Sequence, residues 1–382
     1  MSEKIKKTNW NSTFKLIGRA KIFDNSFKID EVSQNGWQYN NLNLGVDCGE
    51  KYGNVYASLM GGFSQKNNGV IYVHGKKEDG TDDWENGFTV DWEDRNDDEI
   101  LDSIGDMCFI KIGLETTEKG NTYTQRFLSP YDAVAYVQEH LENDTVINVQ
   151  GNLRYNFYKD GVTMQRNITS IFLSKTEPEN FRATFTQSVL IDKDSINLKE
   201  DVDKERNCVK VHTRILDYVK ELNGVEYKAQ YPMPFTFEYE YPSKEAFEKI
   251  YKMLFKVKKG ITQINFEGNF INSGATVQAT MDDVTDDVKL LIDMGLYTEE
   301  EILTKYASQG NVERRYVLTR PVVKIEGDEE NKVAVPQIFT ERYTEEDLEI
   351  RIENSKSDSD SDSLDFSAII DDDDELDWLS EL

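Results

Sequence analysis

The chain has 382 residues, enough for two or three domains with hydrophobic cores of their own. Hydrophobic residues make up 38% of it, and no apolar run approaches the ~20 residues that a membrane-spanning helix needs. The polar segment Met1–Asn11 does not look like a secretory signal, and the three cysteines are too far apart to indicate a disulfide framework or a zinc site. These features favour a protein of a reducing cytoplasm.

The net charge of −28 is unevenly distributed along the chain. Residues 341–382 carry a net charge of −14, residues 78–102 carry −11 and residues 282–301 carry −7. The rest of the chain is therefore mildly basic, at +4. Because phosphate binding depends on local basic surfaces more than on total charge, the acidic balance does not exclude a nucleic-acid ligand.

The first part of the chain predicts three strands. Residues 12–22, 37–48 and 54–62 each alternate apolar and polar side chains, as half-buried strands do. Residues 64–120 interrupt this pattern with a long insertion that contains the first acidic stretch. Its carboxylates have no accompanying histidine or lysine with a recognisable role, so a solvated or regulatory acidic loop is favoured over a two-metal nuclease site.

A strand, a helix and a hairpin are predicted next. Residues 122–128 alternate like a strand, and a serine cap followed by proline opens an amphipathic helix at 129–141. Residues 145–174 predict two strands joined by a tight turn, because the Asp160-Gly161 step tolerates the positive φ of a short hairpin. A short polar linker at 176–180 ends this first unit.

The second half of the chain repeats part of the first. The segment Ile264–Phe270 resembles Ile147–Leu153, and each copy follows a serine-led amphipathic helix, at 129–141 and at 243–257. The chain is therefore predicted to contain two copies of one β-rich unit. The predicted division is a flexible N-terminus at 1–8, a first unit at 9–175 with an insertion at 64–120, a linker at 176–180, a second unit at 181–326 with a helical insertion at 282–307, an extended or irregular segment at 327–354 and a disordered acidic tail at 355–382.

The end of the chain combines acidic and apolar residues. A short apolar tip on an acidic tether suits docking into a basic-rimmed hydrophobic pocket of a partner protein. A simple solubility tail is the alternative. The candidate docking residues are Asp371, Asp372, Asp373, Asp374, Leu376, Trp378, Leu379 and Leu382.

The order of strand, strand, strand, helix and closing hairpin is that of an oligonucleotide/oligosaccharide-binding (OB) barrel. The first unit also resembles the bacterial and phage single-stranded DNA-binding protein family, in Phe14–Ala20, in Phe127-Leu-Ser, in Val149-x-Gly151-x-Leu153-Arg154 and in Asp160-Gly161. The acidic end is similar to the partner-recruiting tip of that family. The likeness is to the longer forms in phages and mobile elements of low-GC Gram-positive bacteria. It covers residues 9–63 and 122–175. The second unit is similar only in its architecture.

This resemblance implies a mainly β protein with two OB folds in tandem and a disordered acidic tail. It also implies sequence-independent binding and protection of single-stranded DNA during replication or recombination, with partners recruited through the tail. An extra barrel in the chain could replace the usual tetramer with fewer subunits, so a homo-oligomer stays possible.

Single-strand binding needs a basic groove for the backbone and aromatic faces for the bases. The basic candidates are Lys15, Arg19, Lys21, Arg126, Arg154 and Arg166 in the first unit, and Lys210, His212 and Arg214 in the second. The aromatic candidates are Trp37, Tyr39, Tyr52, Tyr56, Tyr72, Tyr155, Phe157 and Tyr158, of which Trp37, Tyr56 and Tyr158, together with Arg154, are favoured by outward parity. Because the second unit has Glu267 where the first has Gln150, we expect it to bind more weakly or to act as a scaffold.

Three other functions are considered. The alternative among interaction proteins is an acidic decoy that mimics DNA, or a replication-accessory interaction protein, although a mimic should spread its carboxylates over a folded face. RNA as the ligand stays open, since stacking and phosphate contacts do not separate it from DNA. An enzyme is not expected, because no phosphate-binding loop, nucleophile elbow or zinc spacing occurs and His74, His140 and His212 are isolated in sequence. No cofactor or metal is predicted.

Overall fold

The computed structural model is mainly β, as the sequence predicts. It describes residues 5–64, 69–117, 120–158, 161–222, 225–272, 284–294, 297–299, 302, 314–327 and 332–348. No helix within these ranges is long and apolar enough to cross a membrane. The predicted turn residue Asp160 and the predicted acidic tail, with its docking residues, lie outside the described part of the chain.

The predicted strands and helix of the first unit are present. The strands are β1 (Ser12–Lys21), β2 (Phe27–Val32), β3 (Trp37–Asp47), β4 (Asn54–Ser64), β5 (Val70–Lys76), β6 (Asp82–Asp91), β7 (Ile110–Thr116), β8 (Thr122–Phe127), β9 (Val146–Tyr158) and β10 (Gly161–Leu173), and the helices are α1 (Asp98–Ser103) and α2 (Pro130–His140). Strands β5 and β6 form a hairpin of their own within the predicted insertion.

Five of these strands form a closed barrel. β1 pairs antiparallel with β3 and β9, β3 pairs with β4, β9 pairs with β10, and β10 runs parallel to β4 to close the ring. The alternation of β3 places Leu42, Leu44 and Val46 in the interior, where they are fully buried as predicted. The odd-numbered residues of β3, from Trp37 to Asp47, therefore face outward.

Helix α2 packs its apolar side against the barrel. Val134, Val137 and Leu141 form the predicted inward stripe and are buried in the main hydrophobic core. At the start of the helix the Ser129 hydroxyl accepts a hydrogen bond from the backbone N–H of Tyr131 at 3.2 Å. This cap satisfies one of the amides that lack a partner in the first turn of a helix.

Replacing the capping residue tests its contribution to stability. Ser129→Ala is expected to lower the free energy of unfolding by about 1 kcal/mol, because the Tyr131 amide then loses its partner. Urea unfolding followed by circular dichroism measures the change. A stability equal to that of the unmodified protein would contradict the assigned cap.

The second unit contains its own series of strands. These elements are β11 (Arg182–Ile191), β12 (Val202–Asp203), β13 (Cys208–Leu222), β14 (Val225–Glu240), α3 (Lys244–Ile250), β15 (Thr262–Ile271), α4 (Asp286–Asp293), β16 (Arg315–Pro321), β17 (Val323–Glu326), β18 (Val333–Pro336) and β19 (Ile338–Phe339). A π-helical turn at Tyr251–Phe255 continues α3, which matches the predicted helix at 243–257. β11 pairs with β13 and β15, β13 with β14, β15 with β16, and β14 runs parallel to β16, so the cyclic order is that of the first unit.

The sequence repeat coincides in register in the two units. Phe14 of β1 lies opposite Gly151 of β9, and Phe185 of β11 lies opposite Gly268 of β15. A Cβ atom on Gly151 would lie 2.8 Å from the Phe14 ring, and one on Gly268 would lie 2.2 Å from the Phe185 ring. In each copy the glycine is therefore needed because a side chain would meet both a phenylalanine ring and a backbone carbonyl oxygen, that of Asn167 at 1.9 Å in the first unit and that of Val317 at 2.7 Å in the second.

The two units share one continuous sheet. β1 pairs antiparallel with β11, with Phe14 opposite Phe185. The β9–β10 hairpin also contacts the long β13–β14 hairpin, where the rings of Tyr155 and Phe235 meet edge to face with centroids 5.1 Å apart. Because strand hydrogen bonds and packed aromatic rings both cross the boundary, the units are held together by more than the linker between them.

Residues 5–11 lie across the second unit. The Tyr343 hydroxyl donates to the Lys6 carbonyl at 3.0 Å and accepts from the Thr8 amide at 3.1 Å. The Asn11 amide donates to the buried Ser188 hydroxyl at 2.7 Å. Both ends of the described chain therefore pack on the same unit.

Candidate nucleic-acid interface

The outer surface of β3 and β4 carries a continuous set of aromatic and amide side chains. Their register places Asn41 opposite Met60 and Asn43 opposite Ser58. We define the β3–β4 face as Trp37, Tyr39, Asn41, Asn43, Tyr56, Ser58 and Met60, all of which are partly or fully exposed.

Two aromatic rings stack at one end of this face. Trp37 and Tyr39 are two residues apart on β3, so both point outward, and their rings are stacked with centroids 4.9 Å apart and planes 12° apart. Tyr39 lies opposite Gly62 of β4. A Cβ atom on Gly62 would lie 1.9 Å from the Gln38 carbonyl oxygen, so only glycine permits this approach of the two strands. The stacked pair provides a half-exposed aromatic surface.

A lysine and a tyrosine meet at the other end of the face. Gly45 of β3 lies opposite Lys21 of β1 and opposite Tyr56 of β4. A Cβ atom on Gly45 would lie 3.1 Å from the Lys21 Cβ and 3.2 Å from a Tyr56 ring carbon. The Tyr56 ring therefore lies beside Lys21, and burial raises the pKa of the Tyr56 hydroxyl above its usual value.

Two predicted cations converge near this end. The Lys21 ammonium lies 2.7 Å from the Asp144 carboxylate, and Arg19 donates to the Asp144 carbonyl at 3.4 Å. An exposed ion pair of this kind contributes only about 0–1 kcal/mol, so a phosphate can compete for Lys21. Lys15 is half-buried between Gln150 and Thr184 of the flanking strands and is not part of the β3–β4 face.

The Arg154 side chain is exposed, as the alternation of β9 predicts, and its guanidinium forms an ion pair. Its Nη1 donates to Asp217 Oδ1 at 2.9 Å, and Asp217 is only 2% exposed. The same carboxylate accepts the Tyr155 backbone N–H at 2.7 Å and lies 3.5 Å from the Lys7 ammonium. Arg154 therefore forms an ion pair between the two units, and its predicted phosphate contact stays a prediction.

Tyr155 is buried in the core, so its prediction as a residue that stacks on a base is wrong. It is 1% exposed, and its hydroxyl donates to Gln187 at 3.0 Å. The physical reason is strand alternation, because Tyr155 follows the inward-facing Leu153 by two positions. The neighbouring Phe157 packs edge to face against Tyr231, with centroids 5.3 Å apart. Tyr158 ends β9 in a half-exposed position.

Arg166 and Tyr52 lie near the boundary of the two units. Arg166 Nε donates to the Tyr56 carbonyl at 2.5 Å, and its guanidinium lies 5.0 Å from the centre of the Phe270 ring. The backbone carbonyl of Tyr52 accepts from the Asn272 amide at 2.9 Å, and the Lys51 ammonium lies 5.2 Å from the Tyr52 ring centre. These contacts indicate a packing role at the boundary.

Tyr72 lies on β5 of the insertion, and Arg126 lies on β8, just after the insertion. Tyr72 of β5 is 83% exposed. Arg126 of β8 lies 3.6 Å from the Asp102 carboxylate and 4.8 Å from the centre of the Phe109 ring. Neither belongs to the β3–β4 face as defined.

The predicted basic row of the second unit is exposed but partly neutralised. Arg214 Nη1 lies 3.1 Å from Asp192 Oδ2, and His212 Nε2 lies 3.0 Å from Asp201 Oδ1. Lys210 lies opposite Glu238 of β14. A row with a carboxylate beside each basic group attracts a phosphate less than the same row alone.

Four functional candidates were missed from the sequence. Asn41 and Asn43 share the outward parity of Trp37, so strand alternation could have identified them. Met60 is 50% exposed opposite Asn41, and Lys28 of β2 flanks Asn41 on the other side. The last two could not be placed without the strand register.

A scan against protein-family models finds no match, and a search of curated proteins finds no relative of significant similarity. The likeness to single-stranded DNA-binding proteins therefore rests on the residues quoted above and stays a prediction.

Proposed function

We propose that the first unit is an OB fold that binds single-stranded DNA on its β3–β4 face. The cyclic strand order β1-β3-β4-β10-β9, with α2 between the third and fourth barrel strands, supports this fold. In OB folds the face of the second and third strands binds oligonucleotides, and these correspond to β3 and β4. The observation that carries the proposal is the half-exposed Trp37–Tyr39 stack on that face.

The β3–β4 face suits a ligand of any base sequence. An aromatic ring can stack on every base, at about 1–3 kcal/mol per base. Asn41 and Asn43 offer both donors and acceptors, so they can satisfy the polar edges of different bases. Lys21 and Arg19 at the Tyr56 end attract the phosphate backbone without reading sequence.

The second unit is proposed to be OB-like and to act mainly as a scaffold. Its strands pair in the same cyclic order, which supports the tandem arrangement. Arg214 and His212 face carboxylates, and Glu267 accepts from Arg320 Nε at 2.6 Å where the first unit has Gln150. These charges favour weaker binding of a polyanion than on the first unit.

A titration of the full chain with oligo-dT tests the proposed function. Intrinsic tryptophan fluorescence is expected to be quenched as a base stacks near Trp37, with an affinity that falls as salt rises because counterions are released from the DNA. Duplex DNA of the same length is the control and is expected to bind more weakly. Equal affinity for the two ligands, or no dependence on salt, would contradict the proposal. Oligo-U in the same titration compares RNA with DNA.

Removal of the tail separates this proposal from the acidic decoy. A chain without residues 355–382 is expected to bind oligo-dT at least as tightly as the full chain, because an acidic tail competes with DNA for basic groups. A decoy has no affinity for DNA to retain. Failure of both chains to bind oligo-dT, together with binding of a basic DNA-binding protein, would favour the decoy.

The proposed cellular role is to coat exposed single strands during phage or mobile-element replication or recombination. The acidic tip would then recruit a replication or recombination protein with a basic-rimmed apolar pocket. Trp378→Ala in the tip is expected to abolish that recruitment and to leave oligo-dT affinity unchanged.

A further inference from the structure

The boundary of the two units brings the start of β4 next to the end of β15. The side-chain amide of Asn272, which follows β15, donates to the Asn54 carbonyl at 2.8 Å. β15 pairs antiparallel with β16, and the register sets Ile271 opposite Arg315. The same register places Arg314 opposite Asn272. An arginine of the second unit therefore lies one strand away from the start of β4.

Arg314 lies near the Tyr56 end of the β3–β4 face. Tyr56 follows Asn54 by two residues on β4. Burial raises the pKa of the Tyr56 hydroxyl, and the Arg314 charge opposes that rise. The same charge also acts on the Arg166 guanidinium. Because a neighbouring charge shifts a pKa in this way over separations of a few ångströms, Arg314 lies close to both groups.

Arg166 reaches the same place from the first unit. Its Nε donates to the Tyr56 carbonyl at 2.5 Å, and its guanidinium lies 5.0 Å from the centre of the Phe270 ring. Along the described strands β4 and β10 share one bridging pair, Ser58 with Asn167, and Arg166 is the residue next to it. The half-buried Arg166 side chain therefore lies where β4 and β10 separate, at the edge of the β3–β4 face.

Neither of these two guanidinium groups has a carboxylate partner in the described ranges of the chain. No carboxylate oxygen there lies within 4.0 Å of Arg166 or Arg314, whereas the neighbouring Arg315 lies 2.8 Å from Glu240. Burial lowers the pKa of Arg166, the Tyr316 hydroxyl opposes this, and the Arg314 charge lowers the pKa further. An anion between the two arginines would replace this repulsion with attraction.

The surroundings of the two arginines indicate which kind of anion fits. Tyr56 of the β3–β4 face lies on one side. Tyr316, two residues after Arg314, lines a cavity of about 370 Å³ between the units, together with Val162, Phe235 and His212. Aromatic rings are surfaces on which bases stack. A pair of cations between two aromatic surfaces suits the backbone of a nucleic-acid strand better than a free inorganic anion.

We propose that Arg166 and Arg314 together bind one phosphate of a single strand that runs along the β3–β4 face, so that both units hold the strand at their boundary. This site rests on the proposed function and extends it to the second unit. Arg166 uses its Nε to contact the Tyr56 carbonyl, so its two Nη groups are the donors that face a phosphate. Arg314 adds the second guanidinium. The second unit thereby contributes to binding, although its own basic row faces carboxylates.

Oligo-dT binding by the full chain at a series of salt concentrations tests this site. Arg314→Gln is expected to weaken binding about tenfold at low salt, because a charged hydrogen bond to phosphate is lost. The slope of log K against log salt concentration is expected to fall in magnitude by about 0.7, the share of one contact with a single strand. Arg314→Lys keeps the positive charge and is expected to keep the slope.

Arg320→Gln is the matched control. It removes the same charge from the same strand, but its guanidinium lies 2.6 Å from the Glu267 carboxylate. This variant is expected to change oligo-dT affinity less than threefold. A difference between the Arg314 and Arg320 variants therefore reports a local contact and not the net charge of the chain.

A double variant tests whether the two arginines share one phosphate. Arg166→Lys keeps a charge but cannot donate from Nε and Nη at once, so it is expected to lose part of the affinity. If the phosphate is shared, Arg166→Lys combined with Arg314→Gln loses less than the product of the two single losses. Thermal unfolding checks each variant. If Arg166→Lys does not fold, the exposed Arg314 and its control still decide whether the contact exists.

The outcomes separate this site from the proposed function. If the unmodified chain does not bind oligo-dT, both are wrong. If it binds and Arg314→Gln behaves like Arg320→Gln, the β3–β4 face stands as the binding surface and the contact at the boundary is overturned. Losses that simply multiply in the double variant would assign the two arginines to different phosphates and overturn the shared site.

Discussion

Replacing Trp37 by alanine is expected to weaken the binding of oligo-dT by about 5- to 150-fold, because stacking of a base on an aromatic ring contributes about 1–3 kcal/mol. Trp37 is half of the stacked pair with Tyr39, so its removal takes away both a stacking surface and the support of the second ring. Trp37→Phe keeps an aromatic face and is expected to retain most of the affinity. Fluorescence anisotropy of labelled oligo-dT measures each constant.

Trp84 offers a matched control for this experiment. It is 69% exposed, but it lies on β6 of the insertion and stacks on His74 rather than on Tyr39. Trp84→Ala removes the same side chain from a different surface and is expected to change oligo-dT affinity less than threefold, since an exposed substitution away from the face leaves the β3–β4 contacts intact. Equal losses for the Trp37 and Trp84 variants would contradict the assignment of the β3–β4 face. Thermal unfolding of each variant confirms that the barrel is intact.

Local patterns predicted the parts of this molecule that depend on local rules. Alternation in β3 assigns Leu42 and Leu44 to the interior and Trp37 to the outside, because the period of a strand is two residues. The same rule, applied one step further along β9, places Tyr155 inside. A tyrosine on this inward-facing side of β9 packs in the core and offers no ring to a base.

Contacts between distant segments could not be predicted in the same way. Arg154 meets Asp217, which lies 63 residues further along the chain in the other unit, so parity alone suggested a free outward cation. Cys108 and His74 are 34 residues apart, and the histidine looked isolated because the fold of the insertion was not known. In both cases the register of the strands, not the residue types, decides which groups meet.

The length of β13 and β14 explains why Asp217 reaches the first unit. In the first unit β3 ends at Asp47 and β4 begins at Asn54. The corresponding strands of the second unit are longer, because β13 continues to Leu222 and β14 begins at Val225. The extended hairpin lies against β9 and β10, where Phe235 meets Tyr155. Asp217 is on this extension, so a carboxylate of the second unit is buried against the end of the first.

The largest effect on stability is expected for Asp217→Ala. Its carboxylate accepts the backbone N–H of Tyr155 at 2.7 Å and of Tyr218 at 2.8 Å, besides pairing with Arg154. Removing it leaves the Tyr155 amide without its partner and two cations without a counter-charge, so the free energy of unfolding is expected to fall by about 3 kcal/mol. Urea unfolding measures this change. Arg214→Ala, which breaks the exposed pair with Asp192, is the control and is expected to cost less than about 1 kcal/mol.

Arg154→Ala then separates a structural role from a binding role. Because its guanidinium is held by Asp217, the variant is expected to lower stability by about 1–3 kcal/mol and to change oligo-dT affinity less than threefold. If Arg154 contacts a phosphate, the opposite pattern is expected. The variant then keeps its stability but binds oligo-dT more weakly, and the slope of log K against log salt concentration falls in magnitude by about 1. Measuring unfolding and oligo-dT binding on the same preparation therefore decides whether Arg154 joins the two units or contacts DNA.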